Sequence, residues 1–344
     1  MPGPNRRAMQ SLSGIPLVVV TRGPLVESVH AVAACAVDAQ GASVFEIGAV
    51  DVPVFLRSTA KPFIAAAIVR AGCADRFGFD DGEIAVMSAS HNGEPLHVDA
   101  VRSILEKIGV TPAALRCGIH APAYEPAAAA LAARGERPSA LHNNCSGKHA
   151  GILALAKLRN APLDSYLERD HPAEAEILRF CERITGEQFG EDRLGVDGCG
   201  IPVYATSLRN AARSYARFAT LCDLEAHDAV ALERVRSAIV ACPEMVGGTD
   251  RFDTVLARST GGAIVGKAGA EGIHGSALSA LRIGLVLKVI DGARRAAPPA
   301  AIALYRQLGI DIVDPELAAF DRVPLRNVAG NVVGAIAARL AEAR

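Results

Sequence analysis

The sequence predicts a mixed α/β (α+β) fold in which one antiparallel sheet, built from both ends of the chain, is flanked by helices. Three strand-like segments near the N-terminus (17–21, 28–37 and 42–50) form a meander, and a hairpin-like segment (325–337) ends the chain. Helical patterns fill the middle. Strands at both ends with helices between them favour a single sheet packed against a helical layer.

The predicted elements follow in order along the chain. A short strand (52–56) is expected before the first helix, and a second (262–266) leads into Lys267. Residues 196–202 predict a tight turn, because two glycines flank Cys199. Helices are predicted at 63–71, 97–108, 127–133, 150–158, 171–184, 207–221, 229–241, 276–291 and 299–308.

Length and composition favour one domain. Half of the 344 residues are hydrophobic, and no repeat or long linker divides the chain. We therefore expect a disordered tail at 1–14 and a single domain of two tightly packed lobes at 15–344. A formal net charge of -1 without a basic run argues against nucleic acid as a partner and favours a small, uncharged or zwitterionic substrate.

Membrane insertion is not expected, and the predicted location is the cytoplasm. The longest apolar helical pattern is interrupted by Arg282 and Lys288, and the first residues lack the apolar core of a signal peptide. The eight cysteines are scattered without a regular framework, which is typical of free thiols in a reducing compartment. The cysteine pattern is also compatible with a metal site.

Ser58 and Lys61 form a Ser-x-x-Lys element at the predicted start of the first helix. Spacing of three residues on a helix places the lysine amine one turn beyond the serine hydroxyl, on the same face. A neutral lysine can remove the proton of a serine and make it a nucleophile. The motif alone is common, so its meaning depends on the rest of the chain.

Two further elements follow in order, Ser90-x-Asn92 and Lys267-x-Gly269. The order resembles the Ser-x-x-Lys, Ser-x-Asn and Lys-Thr-Gly elements of serine β-lactamases, penicillin-binding proteins and serine glutaminases. On that pattern Ser58 attacks a carbonyl, Lys61 accepts its proton, Ser90 relays protons and Lys267 supplies a cation. Taken singly, Ser90 is better explained as a turn residue and Lys267 as a solvated strand end. Ala268, in place of a hydroxyl residue, argues against penicillin recognition.

Five blocks together resemble the L-asparaginase II family, the Rhizobium etli type of asparaginase, from about residue 18 to about residue 338. The resemblance implies a serine β-lactamase/glutaminase-like fold, hydrolysis of L-asparagine to L-aspartate and ammonia, and a homodimer. It also implies two Ser-Lys tandems, Ser58 with Lys61 and Ser90 with Lys267. The blocks are 57–62, 88–94, 142–149, 197–200 and 267–272.

The same resemblance implies a zinc ion held by Cys145, Lys148 and Cys199, without implying that zinc is essential. Cys145 and Lys148 have i, i+3 spacing, and Cys199 on its glycine-flanked turn can approach closely. Three protein ligands leave a fourth position open, as catalytic zinc sites do. From the residues alone, a buried thiol is the first interpretation of Cys145, a helix-terminal nucleophile the second and a zinc ligand the third.

Three more residues are candidates for substrate binding. Arg57 and Asp197 supply a cation for an α-carboxylate and an anion for an α-ammonium group. His149 either contacts the substrate, orients a ligand or is a hydrogen-bonded core histidine. The prediction is therefore an L-asparaginase that forms an acyl-enzyme on Ser58 or Ser90. The alternatives are a glutaminase, another serine acyl-hydrolase of this fold, and a binding module without turnover.

Overall fold

The computed structural model describes residues 12–339. The strands within this part are, in chain order, β1 (Ile15–Arg22), β2 (Leu25–Asp38), β3 (Ser43–Ile47), β4 (Val54–Phe55), β5 (Leu194–Val196), β6 (Pro202–Thr206), β7 (Ile264–Ala268), β8 (Ile273–Leu278), β9 (Ile283–Val289), β10 (Arg322–Arg326) and β11 (Val332–Ala338). The helices are α1 (Lys61–Arg70), α2 (Cys73–Phe77), α3 (Asp81–Met87), α4 (Pro95–Lys107), α5 (Glu125–Ala133), α6 (Ser146–Leu158), α7 (Pro172–Thr185), α8 (Leu208–Thr220), α9 (Ala226–Ala241), α10 (Phe252–Ser259), α11 (Ala297–Gln307) and α12 (Pro315–Ala318).

The main sheet has eight strands and joins both ends of the chain. Its order is β10-β11-β1-β2-β9-β8-β7, with β3 pairing with β2 beside this path, and neighbouring strands are antiparallel. A small antiparallel sheet, β4-β6-β5, lies apart from it. The predicted class, an antiparallel sheet flanked by helices, is confirmed.

Both faces of the main sheet are covered. Along β2, Ala33, Cys35 and Val37 join the core of the helical layer, whereas Val32, Ala34 and Ala36 join the core under α11. Helix α8 lies so close to β9 that a Cβ on Gly284 would stand 2.0 Å from the carbonyl oxygen of Ala212. The absent side chain therefore allows helix and sheet to touch.

The helix predicted at 276–291 is wrong, because this segment forms β8, a turn and β9. Every residue of both strands is buried, so the apolar and polar alternation that marks a half-exposed strand is missing. The turn between them contains no Gly, Pro or Asn, and its last residue, Arg282, takes a left-handed φ of 59°. A largely apolar segment with no Gly, Pro or Asn at the turn itself favours a helix.

The other predicted helices and the closing hairpin form as expected, with ends shifted by a few residues. Of the predicted disordered tail, residues 1–11 lie outside the described part, while Ser13 accepts a backbone hydrogen bond from Ala49. The single domain with two lobes stays a prediction. In the part of the chain the structure describes, no helix is both long enough and apolar enough to cross a membrane.

Candidate active site

Two of the sequence blocks meet where the end of β7 lies against the turn that carries Ser58. Residues 57–60 form a short 3-10 turn that runs directly into α1. A Cβ on Gly269 would stand 3.1 Å from the backbone oxygen of Leu56 and 3.2 Å from the Thr59 methyl carbon. Glycine at this position therefore lets the Lys267-x-Gly269 strand end approach the Ser58 turn.

The residue before Ser58 has an unusual backbone. Arg57 adopts φ = 50°, a left-handed conformation that side-chain-bearing residues rarely take. Such conformations concentrate at functional sites, where the surrounding structure holds them in place. Ser58 itself is half-buried, whereas Thr59 and Ala60 beside it are buried. The turn thus presents the Ser58 hydroxyl at the edge of the core.

Lys61 reaches Ser90, not the serine of its own motif. Its amine donates to Ser90 Oγ at 3.0 Å and to the carbonyl oxygen of Ala89, and the side chain is 1% exposed. Burial lowers the pKa of Lys61, the Cys145 sulfur opposes this shift, and the Lys148 cation adds to it. An amine with two neutral oxygen partners and a lowered pKa has the environment that a base requires.

The implied tandem of Ser90 with Lys267 does not appear as a hydrogen bond. Lys267 donates instead to Asp253 Oδ2 at 2.9 Å and to the carbonyl oxygen of Ala268 at 2.8 Å. Likewise, the hydrogen bonds of Lys61 go to Ala89 and Ser90 and not to Ser58. The structure brings the Ser58 and Lys267 blocks to one region but pairs the hydroxyls and amines differently from the family pattern.

The side chain of Asn92, in the Ser-x-Asn element, is hydrogen-bonded to the segment that precedes α10. Its side-chain amide donates to the carbonyl oxygen of Thr249 at 3.0 Å, and its oxygen accepts from Arg251 at 3.0 Å. The backbone N–H groups of Ser90 and Asn92 donate to Val246 and Gly247 of the same segment. Asn92 therefore fixes the loop of Ser90 against the segment that precedes α10.

The three predicted zinc ligands lie together. Cys145 is the N-terminal cap residue of α6, Lys148 lies one turn later, and Cys199 is on the turn between β5 and β6. The Lys148 amine is 3.0 Å from Cys199 Sγ, and Cys199 is hydrogen-bonded to Cys145. All three side chains are buried.

Their protonation follows from these contacts. The hydrogen bond with Cys199 holds the pKa of Cys145 well below its usual range despite burial, and the same bond raises the pKa of Cys199. Burial alone would lower the pKa of Lys148, but the sulfurs of Cys145 and Cys199 outweigh it and the pKa rises. Without a metal, the Lys148 ammonium group therefore lies against two sulfurs that interact with each other.

This donor set fits zinc. Two sulfurs and one nitrogen converge, and sulfur and nitrogen are the donors that zinc prefers. Between residues 12 and 339 no group of three or more His, Cys, Asp or Glu side chains is arranged to hold a metal ion. The predicted set contains two residues of these types and a lysine, so that finding does not bear on it.

Arg57 and Asp197 pair with each other. Arg57 Nε and Asp197 Oδ1 are 2.7 Å apart, and the two side chains are 26% and 12% exposed. Burial alone would raise the pKa of Asp197, but Lys148, the Gly198 N–H and Arg57 outweigh it and the pKa falls. A substrate group that contacts Arg57 or Asp197 must therefore compete with the ion pair between these two residues.

His149 points into the core. Its Nδ1 lies 2.8 Å from the Tyr166 hydroxyl, and its Nε2 has no hydrogen-bond partner among the described residues. Burial lowers the pKa of His149 well below its usual range, and Lys148 and Lys61 add to this. These contacts match the core-histidine interpretation, and its role toward substrate stays a prediction.

Sequence reasoning missed Asp253, whose side chain is 4% exposed and binds Lys267. Asp253 stands in the first turn of α10, outside every motif block. A signal was present, because a carboxylate in the first turn is favoured by the helix dipole, but many surface helices carry the same feature.

Comparison with known proteins identifies the family. The family model described as L-asparaginase II matches residues 18–338, a segment that includes all five sequence blocks. No curated protein matches the chain. One solved structure that matches is described as "Crystal Structure Analysis of Mglu". It is 15% identical, the match covers 82% of this chain and 68% of that chain, and the TM-score is 0.45.

The family match extends over nearly the whole chain and contains the Ser58, Ser90, Cys145 and Lys267 motifs. The resemblance inferred from those motifs is therefore confirmed. The chain belongs to the L-asparaginase II family, and it is an L-asparaginase, a hydrolase that acts on asparagine.

Proposed function

We propose that the chain hydrolyses L-asparagine through an acyl-enzyme on Ser58, with Ser90 and Lys61 as the proton path. The observation that carries this proposal is the 3.0 Å hydrogen bond between the Lys61 amine and Ser90 Oγ in a buried setting. Ser58 is the more exposed of the two serines and follows the strained Arg57. An accessible hydroxyl suits the nucleophile, and a buried hydroxyl bound to an amine suits the relay.

The steps balance in both halves of the reaction. Ser58 Oγ bonds to the side-chain amide carbon of asparagine, and its proton passes through Ser90 Oγ to Lys61 Nζ. Collapse of the tetrahedral intermediate breaks the C–N bond, and the proton on Lys61 returns to the leaving nitrogen to give ammonia. Water then attacks the ester with the same proton path, which releases L-aspartate and restores Ser58.

We also propose zinc as the metal of the Cys145, Lys148 and Cys199 trio. When bound, zinc would supply a positive charge that polarises an oxygen of the substrate near the site. Cys199 and Lys148 must each lose a proton to bind it, so the affinity should rise with pH. Whether turnover needs the metal is a separate question from whether it binds.

The family resemblance further supports asparagine over glutamine, a homodimer and a cytoplasmic location as parts of this proposal. The two substrates differ by one methylene, and a pocket distinguishes such pairs by only about 1–3 kcal/mol. Relative kcat/KM values for asparagine and glutamine test the substrate preference, and sedimentation velocity tests the homodimer. Fractionation of cells that express the chain tests the cytoplasmic location.

The experiment is ammonia release from asparagine by wild type, Ser58→Ala and Ser90→Ala, with intact-mass analysis after rapid acid quench. We expect an ester adduct on wild type and on slowed Ser90→Ala, and none on Ser58→Ala. Each variant's zinc content and circular dichroism serve as controls for the fold. An adduct that persists in Ser58→Ala and vanishes in Ser90→Ala would assign the nucleophile to Ser90 and refute this assignment.

A further inference from the structure

Asp253 makes a dense set of polar contacts around the end of β7. Its carboxylate accepts from the Lys267 amine at 2.9 Å, and both of its oxygens lie 3.0 Å from the backbone N–H of Ala268. The carboxylate thus contacts both the side chain of Lys267 and the peptide that follows it. These contacts fix the amine relative to the strand backbone.

A buried row of polar groups extends from Asp253 to Tyr305 of α11. His274 Nε2 lies 3.4 Å from Asp253 Oδ1, and His274 Nδ1 lies 3.2 Å from Ser276 Oγ. Ser276 Oγ is in turn 2.6 Å from the Tyr305 hydroxyl of α11. His274, Ser276 and Tyr305 are each at most 1% exposed, and Asp253 is 4% exposed. His274 Nε2 has no hydrogen-bond partner among the described residues, so the hydrogen bonds to Lys267 and Ala268 are the contacts that hold the Asp253 carboxylate.

Asp253 is the carboxylate that compensates a group of nearby cations. Burial lowers the pKa of Lys267 to about 8, Asp253 opposes this shift, and Lys61 adds to it. Burial alone would raise the pKa of Asp253, but Lys267 and His274 outweigh it and the pKa falls. The titratable and charged groups near this pair are Lys61 of α1, Tyr215 of α8, Arg251 before α10, His274 of β8 and Tyr305 of α11.

We propose that Asp253 is a positioning residue of the active site, which holds the Lys267 ammonium group at the end of β7 beside the Ser58 turn. This inference rests on the proposed function, in which Lys267 supplies a cation near the reacting serine. An ammonium group buried without a carboxylate loses its proton or moves toward solvent. Asp253 prevents both, because it contributes the charge and its backbone contact sets the position.

The test is Asp253→Asn, which keeps the shape and the acceptor for Ala268 but removes the negative charge. In wild type we expect kcat to fall above a pKa of about 8, as Lys267 loses its proton. In Asp253→Asn the fall should begin at least one pH unit lower, with kcat at pH 7.5 reduced about tenfold and largely restored near pH 6. A wild-type profile in Asp253→Asn would overturn the inference.

A matched control separates positioning from plain stability. Asp228 is also buried, at 1% exposed, and pairs with Arg70 and Arg183 away from Lys267. Asp228→Asn should lower the melting temperature and leave the pH profile of kcat in place. If Asp253→Asn does the same, Asp253 is only structural and the inference is wrong.

Lys267→Met separates this inference from the proposed function. If Lys267→Met is inactive and the pH profile of kcat is shifted in Asp253→Asn, both the proposed role of Lys267 and the inference about Asp253 are supported. A fully active Lys267→Met refutes the proposed role of Lys267 and, with it, any role of Asp253 toward it. An inactive Lys267→Met with an unshifted Asp253→Asn profile overturns the Asp253 inference alone.

Discussion

Lys61 and Lys148 stand in the first turns of α1 and α6 and are equally buried, each 1% exposed, yet their pKa values shift in opposite directions. Lys61 donates to the neutral oxygens of Ala89 and Ser90, and burial lowers its pKa although the Cys145 sulfur, which the amine also contacts, opposes this shift. Lys148 contacts Cys199, and the sulfurs overcome the effect of burial and raise its pKa.

The comparison shows that burial alone does not decide the charge of a buried lysine, because Lys148 faces two sulfurs whereas Lys61 faces one beside two neutral oxygens. A neutral oxygen leaves an amine free to accept a proton, which suits a base. A thiolate holds the proton until a metal displaces it, which suits a ligand site. On the proposed function, two lysines with the same burial would therefore serve as a base and as a metal ligand.

The largest effect should come from removal of the proposed base. Lys61→Met keeps the apolar stem and removes the amine, so we expect kcat for asparagine to fall by about 10³-fold or more, within the range for general bases. The control is Lys157→Met, because Lys157 is exposed at the end of α6. Activity of Lys61→Met within tenfold of wild type would show that the amine is not the base.

The next effect concerns the metal. Lys148→Met removes one proposed ligand and leaves both thiols. Loss of a residue that only supports a metal ligand lowers metal affinity by about 10- to 100-fold, so loss of the ligand itself should lower zinc affinity at least about 100-fold. Competition with a chelating dye measures this, and Lys157→Met again serves as the control. Unchanged stoichiometric zinc in Lys148→Met would remove this lysine from the ligand set.

The smallest effect is on the free energy of unfolding. It concerns Glu174, a buried acid near Lys148. Glu174 in α7 is 5% exposed and Oε1 has no hydrogen-bond partner among the described residues. Burial raises its pKa from 4.5 to about 8, although Lys148 opposes the shift. Because the folded state binds the proton more tightly, its stabilising contribution is complete below pH 4.5 and is lost as pH rises through 8.

Glu174→Gln should remove that pH dependence. Relative to the variant, wild type should lose up to about 4 kcal/mol of unfolding free energy between pH 5 and 8.5, since one pKa unit corresponds to about 1.4 kcal/mol. Denaturant unfolding at three pH values measures the difference, with Glu233→Gln as the exposed control. Parallel curves for wild type and Glu174→Gln would mean that Glu174 titrates normally.

The helical half of the molecule and the sequence blocks were predictable, whereas the middle of the sheet was not. Amphipathic helices such as α4 and α7 carry a polar face that reveals their period. Strands β8 and β9 are buried on both faces, so their pattern has no polar half. Only the pairing with β2 and β7 distinguishes them from a helix.

At the site, the motifs identified the blocks but not the pairing within them. Spacing placed Ser58 and Lys61 on one face, yet the long lysine side chain reaches Ser90, which arrives on a separate loop. Asp253 was missed because its partner is distant in sequence and no local pattern distinguishes it from an ordinary first-turn carboxylate. Contacts of this kind depend on tertiary packing.

The order of strands in the main sheet has a consequence for the biosynthesis of the enzyme. Strand β2 pairs with β9, so Val32 meets Val289, and β7 joins the sheet only through β8 and β9. A chain still emerging from the ribosome can form the Ser58 turn long before Lys267 has strands to hold it. On the proposed mechanism, in which Lys267 supplies a cation near Ser58, the catalytic centre can be completed only after β8 and β9 have been made.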